Sequence, residues 1–303
     1  MPTPIVFKGI KKLNGKNYVE RTLIKAIKND IAIYAIHTNL DNVLGGVNTE
    51  FAKRLGLEQC QILQSKKGIL KKLVTFCEHK DAEMIRQTLF DAGAGHIAHY
   101  SDCSFNLEGI GTFKGDEHSK PTLGQALRRE YANETRIEVI FKSPDEGRII
   151  KSLLQNHPYE EVAYDIYPLN NALQEVGAGM LGELSQAQDC ITFLTRVKTQ
   201  MQAKVLRHTK CLDRPIKKVA LCGGSGSFLL QQAITAGADA FVTADFKYHE
   251  FFDAEDKIMI VDIGHYESEQ FTSNLLINNI QEKFPNFAVH LTEHNTNPIN
   301  YFI

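Results

Sequence analysis

Residues 261 to 272 read VDIGHYESEQFT, and they place His265 and Glu269 four residues apart just beyond a short apolar run. If a helix begins there, the two side chains share one face of it. An imidazole nitrogen and a carboxylate in that arrangement can hold one divalent cation. Asp41, in the cluster HTNLD, is a candidate for a bridging carboxylate. The same spacing is also typical of a solvated helix face, and from spacing alone both interpretations stay open.

Polar clusters recur directly after apolar runs, as HTNLD (37–41), ADFKYHE (244–250) and GHYESE (264–269). In open α/β sheets, ligands bind beyond the carboxyl ends of the strands. The repetition therefore favours a shared site at one edge of a sheet as strongly as it favours solvated faces.

The segment CGGSGS (222–227) lies between a predicted strand and a predicted helix, where backbone N–H groups can hold an anion. It lacks the lysine of a Walker A motif, and Leu229 occupies the third glycine position of a dinucleotide fingerprint. A tight strand-to-helix turn is the alternative interpretation. The candidate anion-binding residues are Gly223, Gly224, Ser225 and Gly226.

Periodicity predicts the elements that position these residues. Residues 19–27 have helical spacing, the apolar run 31–36 predicts a strand buried on both faces, and a helix capped by Asn48 or Thr49 ends near Gly56. The apolar patterns of residues 69–170 predict strands and helices in the order β-α-β-β-α-β, which is a ferredoxin-like arrangement. Strands and helices alternate again to a last predicted strand, FAVHLTE (287–293). The expected fold class is α/β: a layered domain of residues 1–68 and 171–303, split by an inserted α+β domain of residues 69–170.

Composition narrows the class of protein. The formal net charge of -2 gives no strong signal for nucleic acid, and no apolar run approaches the length that spans a bilayer. The first residues lack the apolar core of a secretory signal. Six cysteines without a C-x-x-C pair predict free thiols in a reducing compartment, hence a cytoplasmic protein.

Several motifs together carry a family resemblance. IYAIHTNLDNVLGGVN, CGGSGSFLLQQAITAGADAFVTADFKYHEFFDA, IVDIGHYESEQFT and NTNPINYF resemble the GTP cyclohydrolase 1 type 2 family, the Nif-three-like dinuclear-metal proteins. The likeness covers nearly the whole chain. In addition, HPYEEVAYDIYPL (157–169) closes a segment similar to the PII and CutA proteins.

The resemblance implies a site with two divalent metal ions, of zinc, iron, manganese or cobalt. Asp41 matches the bridging ligand, and His265 and Glu269 match the histidine and glutamate of the family's GHxxxE motif. His37, Asp245 and His249 match positions near the site, where His249 is a candidate proton shuttle. Metal-activated hydroxide would then open the imidazole ring of GTP at C8, with phosphate held by the turn at 223–227.

A non-catalytic function is the alternative that the same resemblance leaves open. Family members form homohexameric rings with the metal sites facing an inner cavity, and PII-type sensors bind small effectors. A ring that carries metal or effector without turnover would use the same residues.

One departure from the family pattern concerns the first residues. Two adjacent metal-binding histidines normally stand immediately before a proline, whereas Pro4 here follows Met1, Pro2 and Thr3. The resemblance therefore implies that a first strand, a first helix and both histidines are missing, either from a shortened copy of the sequence or by natural loss. We expect such a chain to bind metal weakly, because two nitrogen donors are absent.

Overall fold

The computed structural model describes Val6 and residues 9–302, so the histidine positions predicted before Pro4 lie outside the described residues. Two compact units make up the chain, one of residues 1–65 and 174–303 and the other of residues 66–173. Each unit has its own β-sheet, and strands and helices are mixed in both. The α/β class predicted from the sequence is confirmed.

The first unit is built around a six-stranded mixed sheet in the described part of the chain. Its strands are β1 (Leu57–Lys66), β6 (Leu173–Gln188), β7 (Arg207–His208), β8 (Ile216–Ser225), β9 (Ala240–Ala244) and β10 (Met259–Asp262). Its helices are α1 (Tyr18–Lys28), α2 (Thr38–Asp41), α3 (Val47–Leu55), α6 (Cys190–Gln200), α7 (Leu230–Thr235), α8 (His265–Glu269) and α9 (Thr272–Lys283).

The strand order in this sheet is β1-β6-β8-β9-β10-β7. β8, β9 and β10 run parallel, and β6 and β7 are antiparallel to their neighbours β8 and β10. Parallel strands with both faces covered become apolar on both faces. Accordingly, Val219 and Leu221 pack with α3 and α6 on one side, whereas Ala220 packs with α7 on the other.

This layering positions the candidate site. The parallel strands β8, β9 and β10 end at the same edge of the sheet, and the chain beyond each end carries the polar clusters predicted to bind ligands.

The second unit has a four-stranded antiparallel sheet in the order β3-β4-β2-β5. Its strands are β2 (Leu70–Glu78), β3 (Ser104–Phe113), β4 (Glu130–Lys142) and β5 (Tyr164–Pro168), and its helices are α4 (Ala82–Asp91) and α5 (Glu146–Asn156). Ile85 and Leu89 of α4, with Ile149 and Leu153 of α5, are fully buried against one face of this sheet. The likeness of this unit to PII and CutA proteins stays a prediction.

Two predicted strands are wrong. Residues 31–36 have no regular structure, and Ile31, Ile33 and Tyr34 are exposed. Residues 287–293 are likewise irregular and mostly exposed. An apolar run becomes a buried strand only where a neighbouring strand takes its hydrogen bonds, and no described strand pairs with either segment.

Two further expectations need correction. Cys190 and Cys211 form a disulfide, against the prediction that all six cysteines are free, because the fold brings their Cα atoms to 5.8 Å. Helix α3 is capped at Gly46 rather than at Asn48 or Thr49, since both of those residues lie inside the helix. None of the helices in residues 9–302 combines the length and the apolar character that crossing a membrane requires.

Candidate functional site

A cavity of about 310 Å³ lies at the edge of the first unit's sheet where β8 ends. It brings together residues from four distant parts of the chain: the segment around α2 and α3, strand β6, the end of β8 with the turn that follows it, and α8. The predicted metal ligands Asp41, His265 and Glu269 all line it, as does His37. The structure therefore gathers in one cavity the three side chains that the sequence analysis singled out.

Helix α8 begins at His265, which meets the condition under which His265 and Glu269 share one helix face. The Nδ1 atom of His265 lies 2.5 Å from Oδ2 of Asp245, and its Nε2 atom lies 3.7 Å from Oε1 of Glu269. A carboxylate on Nδ1 fixes the ring and directs the Nε2 lone pair outward, which is how many metal-binding histidines are held. Burial favours the neutral ring, but the hydrogen bond that Nδ1 donates to Asp245 and the charges of Glu269, Asp245 and Asp41 outweigh it and raise the pKa of His265.

Glu269 is buried, and its carboxylate lies against the end of β8. At Gly224, whose φ is +66°, an added Cβ would come within 2.5 Å of Oε1 of Glu269. Only glycine leaves room for the carboxylate in that backbone conformation. Burial raises the pKa of Glu269, and the neighbouring charge of Asp41 raises it further, against the opposing effect of His265.

Asp41 reaches the cavity from α2 and not, as predicted, from the end of a buried strand. The side chain of buried Asn48 holds this segment in place, because its amide nitrogen donates to the Asp41 carbonyl at 2.8 Å. The Oδ1 atom of Asp41 is shut off from solvent and has no hydrogen-bond partner among the described residues. Burial raises the pKa of Asp41, and the nearby His37 and His265 only partly oppose that effect.

These donors fit a divalent cation in their chemistry. Carboxylate oxygens and imidazole nitrogen suit zinc, iron, manganese and cobalt, and the buried Oδ1 atom of Asp41, which accepts no hydrogen bond from a described residue, is available as a ligand. Within residues 9–302, however, no three His, Cys, Asp or Glu side chains are already arranged as a closed set of ligands. The ligand types fit, and the side chains would have to move together to coordinate one ion.

The glycine turn after β8 is less open to an anion than its sequence suggests. The Gly223 N–H donates to Oδ1 of Asn48, and the Gly224 N–H donates to the Ser268 hydroxyl, each at 2.8 Å. Those two donors are therefore already used within the protein. A role in anion binding stays a prediction, carried by Ser225 and Gly226.

The remaining candidates fall at different distances from the cavity. His37 lines the cavity. Asp245 accepts a hydrogen bond from His265, and its backbone is in the left-handed region with a φ of +61°. Such conformations in residues other than glycine often mark functional sites. His249 is exposed and does not appear among the described residues that line the cavity.

The residues that hold the site together were not predicted from the sequence. Asp262, the last residue of β10, is 3% exposed, and its carboxylate accepts hydrogen bonds from the N–H groups of Phe246 at 3.0 Å and Gly264 at 3.1 Å. It also forms an ion pair with Arg207. Asp262 thus joins the loop that follows Asp245 to the loop that precedes His265. Its place at the end of an apolar run was the available sequence signal.

Comparison with known proteins supports the motif resemblance. The sequence profile of the Duf34/NIF3 (NGG1p interacting factor 3) family matches residues 3–298. A GTP cyclohydrolase 1 type 2 homolog of Bacillus subtilis is 35% identical over 303 residues, covering 98% of this chain and 81% of the relative. One from Halalkalibacterium halodurans is 39% identical over 264 residues, covering 86% and 71%.

Solved structures agree with that assignment. A Bacillus cereus protein related to NIF3 superimposes with a TM-score of 0.80 at 37% identity, covering 99% of this chain and 81% of that one. A Staphylococcus aureus protein gives a TM-score of 0.73 at 27% identity, with 99% and 80% covered. The resemblance inferred from the motifs is confirmed over nearly the whole length. The chain belongs to the Duf34/NIF3 family.

Proposed function

We propose that this protein binds divalent metal ions through Asp41, His265 and Glu269. The observation that carries the proposal is the buried Oδ1 atom of Asp41, which has no partner in the described part of the chain and lies in the same cavity as a histidine oriented by Asp245. A buried carboxylate oxygen without a partner costs free energy in the metal-free protein. A cation coordinated there would remove that cost.

The electrostatics of the cavity support the same conclusion. The pKa values of Asp41 and Glu269 are both raised by burial, and the charge of Asp41 adds to the effect at Glu269. A divalent ion would favour both ionised forms and the neutral form of His265. We therefore expect metal binding to release protons and to weaken as the pH falls.

Hydrolytic opening of the guanine ring of GTP is the activity that we propose to test, because curated relatives are named GTP cyclohydrolase 1 type 2 homologs. When bound, a metal ion supplies this chemistry by lowering the pKa of a coordinated water. Of the protein's own groups, His37 lines the cavity and Asp245 holds the His265 ring.

One observation favours a second candidate, a metal- or effector-binding protein without turnover. The described residues that line the cavity include no lysine or arginine, so the side chains offer little positive charge to a triphosphate. The homohexameric ring expected from the resemblance is compatible with either candidate and stays a prediction.

Calorimetric titration of the metal-free protein with Zn²⁺ or Mn²⁺ tests the metal site. We expect Asp41→Asn and Glu269→Gln each to weaken binding by about 100-fold or more, since loss of an outer partner alone costs 10- to 100-fold. Asp253→Asn, an exposed carboxylate outside the cavity, is the matched control and should bind as the parent does. Equal affinity of Asp41→Asn and the parent protein would refute the proposed ligand set.

The metal-loaded protein then separates the two candidate functions. Incubation with GTP, followed by the disappearance of the guanine C8 proton in NMR spectra, reports ring opening. If the parent protein consumes GTP and Asp41→Asn does not, the result supports the hydrolase. Stoichiometric metal without consumption of GTP supports the non-catalytic protein.

A further inference from the structure

A separate cavity of about 480 Å³ lies entirely within the second unit. Phe76 of β2, Phe113 at the end of β3 and Tyr159 after α5 supply three aromatic side chains to its wall, and Pro121 and Leu123 add aliphatic surface. A concave, mainly apolar cavity with a few polar groups is the usual form of a small-molecule site.

Glu134 of β4 is the polar group held most firmly in this wall. Its Oε1 atom accepts a hydrogen bond from the Tyr159 hydroxyl at 2.9 Å. On the neighbouring strand β3, a Cβ added to Gly111 would come within 2.0 Å of Oε2 of Glu134. The carboxylate of Glu134 fits there because Gly111 has no side chain. The carboxylate is therefore fixed in orientation before any ligand arrives.

The Tyr159 segment is fixed as well. Buried His157 contacts the Phe76 carbonyl through Nε2 at 3.0 Å, and its Nδ1 accepts the Tyr159 N–H at 3.1 Å. Acceptance at Nδ1 requires the proton to be on Nε2, which then donates to the carbonyl. His157 thereby ties the segment that carries one wall of the cavity to the strand that carries another.

The charge of the lining is negative. Glu134, Glu160 and Glu161 face one lysine, Lys114, among the described residues of the wall. The nearby guanidinium of Arg136, 5.9 Å from the Phe76 ring centroid, is paired with Glu138 at 2.9 Å. Glu138 also pairs with Lys72 at 2.7 Å, so it balances Arg136 only in part. The preference for a cation therefore rests on the three glutamates of the wall against its one lysine.

We propose that this cavity binds a small organic cation, with its ammonium group against Glu134 and the aromatic rings. Aromatic faces attract quaternary and alkylated ammonium groups, whose weak hydration makes transfer to an apolar wall inexpensive. A bare metal ion fits poorly, because it needs several converging oxygen or nitrogen ligands and no closed set exists in residues 9–302. The proposal uses no residue of the metal cavity and stands independently of the proposed function.

Calorimetry with choline on the full chain tests the proposal, with 3,3-dimethyl-1-butanol as its uncharged carbon analogue. We expect choline to bind with a dissociation constant of about 1 mM or below and the analogue to bind at least tenfold more weakly. Equal affinity for the two compounds, or no binding of choline, would overturn the proposal.

Two variants locate the binding. Glu134→Gln keeps an acceptor for Tyr159 but removes the charge, and should weaken choline about tenfold without changing the binding of the analogue. Phe113→Leu keeps apolar bulk but removes a ring, and should weaken choline about fivefold. Glu108→Gln, an exposed carboxylate of β3 outside the cavity, is the charge-matched control. If Glu134→Gln and Glu108→Gln bind choline equally well, the cation does not occupy this cavity.

Discussion

Asp262 and Asp41 both belong to the first unit, close to the same site, yet their surroundings differ. The carboxylate of Asp262 is buried with both oxygens occupied, by the N–H groups of Phe246 and Gly264 and by Arg207. The carboxylate of Asp41 has one oxygen that is shut off from solvent and accepts no hydrogen bond from the residues that the structure describes.

The number of hydrogen bonds that a buried carboxylate accepts helps to distinguish one that stabilises the fold from one that could bind a ligand. A buried carboxylate with every oxygen satisfied stabilises the fold, because the protein replaces the hydrogen bonds of water. One with an unsatisfied oxygen destabilises the metal-free protein and persists where a ligand completes it. On this reasoning Asp262 holds the loops of the site together, whereas the role that we propose for Asp41 is to ligate a cation.

The largest expected effect is at Asp262. Replacement by alanine leaves two backbone N–H groups and Arg207 without their acceptor, and should lower the free energy of unfolding by about 3 kcal/mol. Urea denaturation measures the loss, and Asp253→Ala, an exposed aspartate nearby in the chain, is the control that should change little. A change at Asp262 no larger than the control would remove its structural role.

Asn48 should come next, because it joins the Asp41 segment to the end of β8. Asn48→Ala removes the donor to the Asp41 carbonyl and the acceptor for the Gly223 N–H, both in buried surroundings. We expect a loss of about 2 kcal/mol in urea denaturation. Asn279→Ala, which removes one exposed hydrogen bond on α9, should cost less than about 0.5 kcal/mol. Similar losses for the two variants would contradict the proposed link.

Asp41 should behave in the opposite sense. Asp41→Asn removes an incompletely solvated charge, so the metal-free protein in EDTA should become more stable, by about 1 kcal/mol. With saturating Zn²⁺ the order should reverse, because only the parent protein gains the full free energy of metal binding. A variant that is less stable in EDTA would place Asp41 with Asp262 as a structural carboxylate.

The smallest effect concerns pH, and Asp239 provides the contrast. Burial opposes its charge, but hydrogen bonds from the Lys218 and Lys217 backbones and from Arg214 outweigh burial and lower the pKa of Asp239. A lowered pKa contributes stability above the unfolded-state value that is lost as the pH falls through the folded-state value. The raised pKa of Asp41 has the opposite consequence. Its contribution to folding stability is greatest below the pKa of the unfolded state and is lost as the pH rises through the pKa of the folded state.

Urea denaturation in EDTA across the acidic range measures both contributions. Asp239→Asn should flatten the fall in stability toward low pH, whereas Asp41→Asn should flatten the decline as the pH rises from about 4. If the slope of the free energy of unfolding against pH changes in the same direction in both variants, the contrast between the two carboxylates is wrong.

Several elements of the fold could be predicted from short stretches of the sequence. The repeat of apolar residues predicted α3, α4 and α5, and the buried runs predicted β8, β9 and β10, because these elements show their periodicity within a few residues. The start of α8 at His265, by contrast, was only a condition of the sequence argument, and the structure supplies it.

Other elements depended on partners elsewhere in the chain. β1 is largely exposed, so its apolar pattern is weak, and β6 contains three glycines that lower its strand propensity. A Cβ added to Gly177 of β6 would come within 2.1 Å of the Gln64 carbonyl of β1. That glycine is explained by the neighbouring strand, which no local pattern reveals. Residues 31–36 show the reverse case, a strand-like run without a described partner.

The sequence by itself determined the α/β class, the family and the chemical types of the candidate ligands, because composition, periodicity and motifs are local properties. Only the tertiary structure decided that Asp41 meets His265 and Glu269, that Asp245 holds Nδ1 of the histidine, and that one Asp41 oxygen is left without a partner. Those features depend on residues far apart in the chain, and burial and hydrogen-bond satisfaction exist only after those segments have packed together.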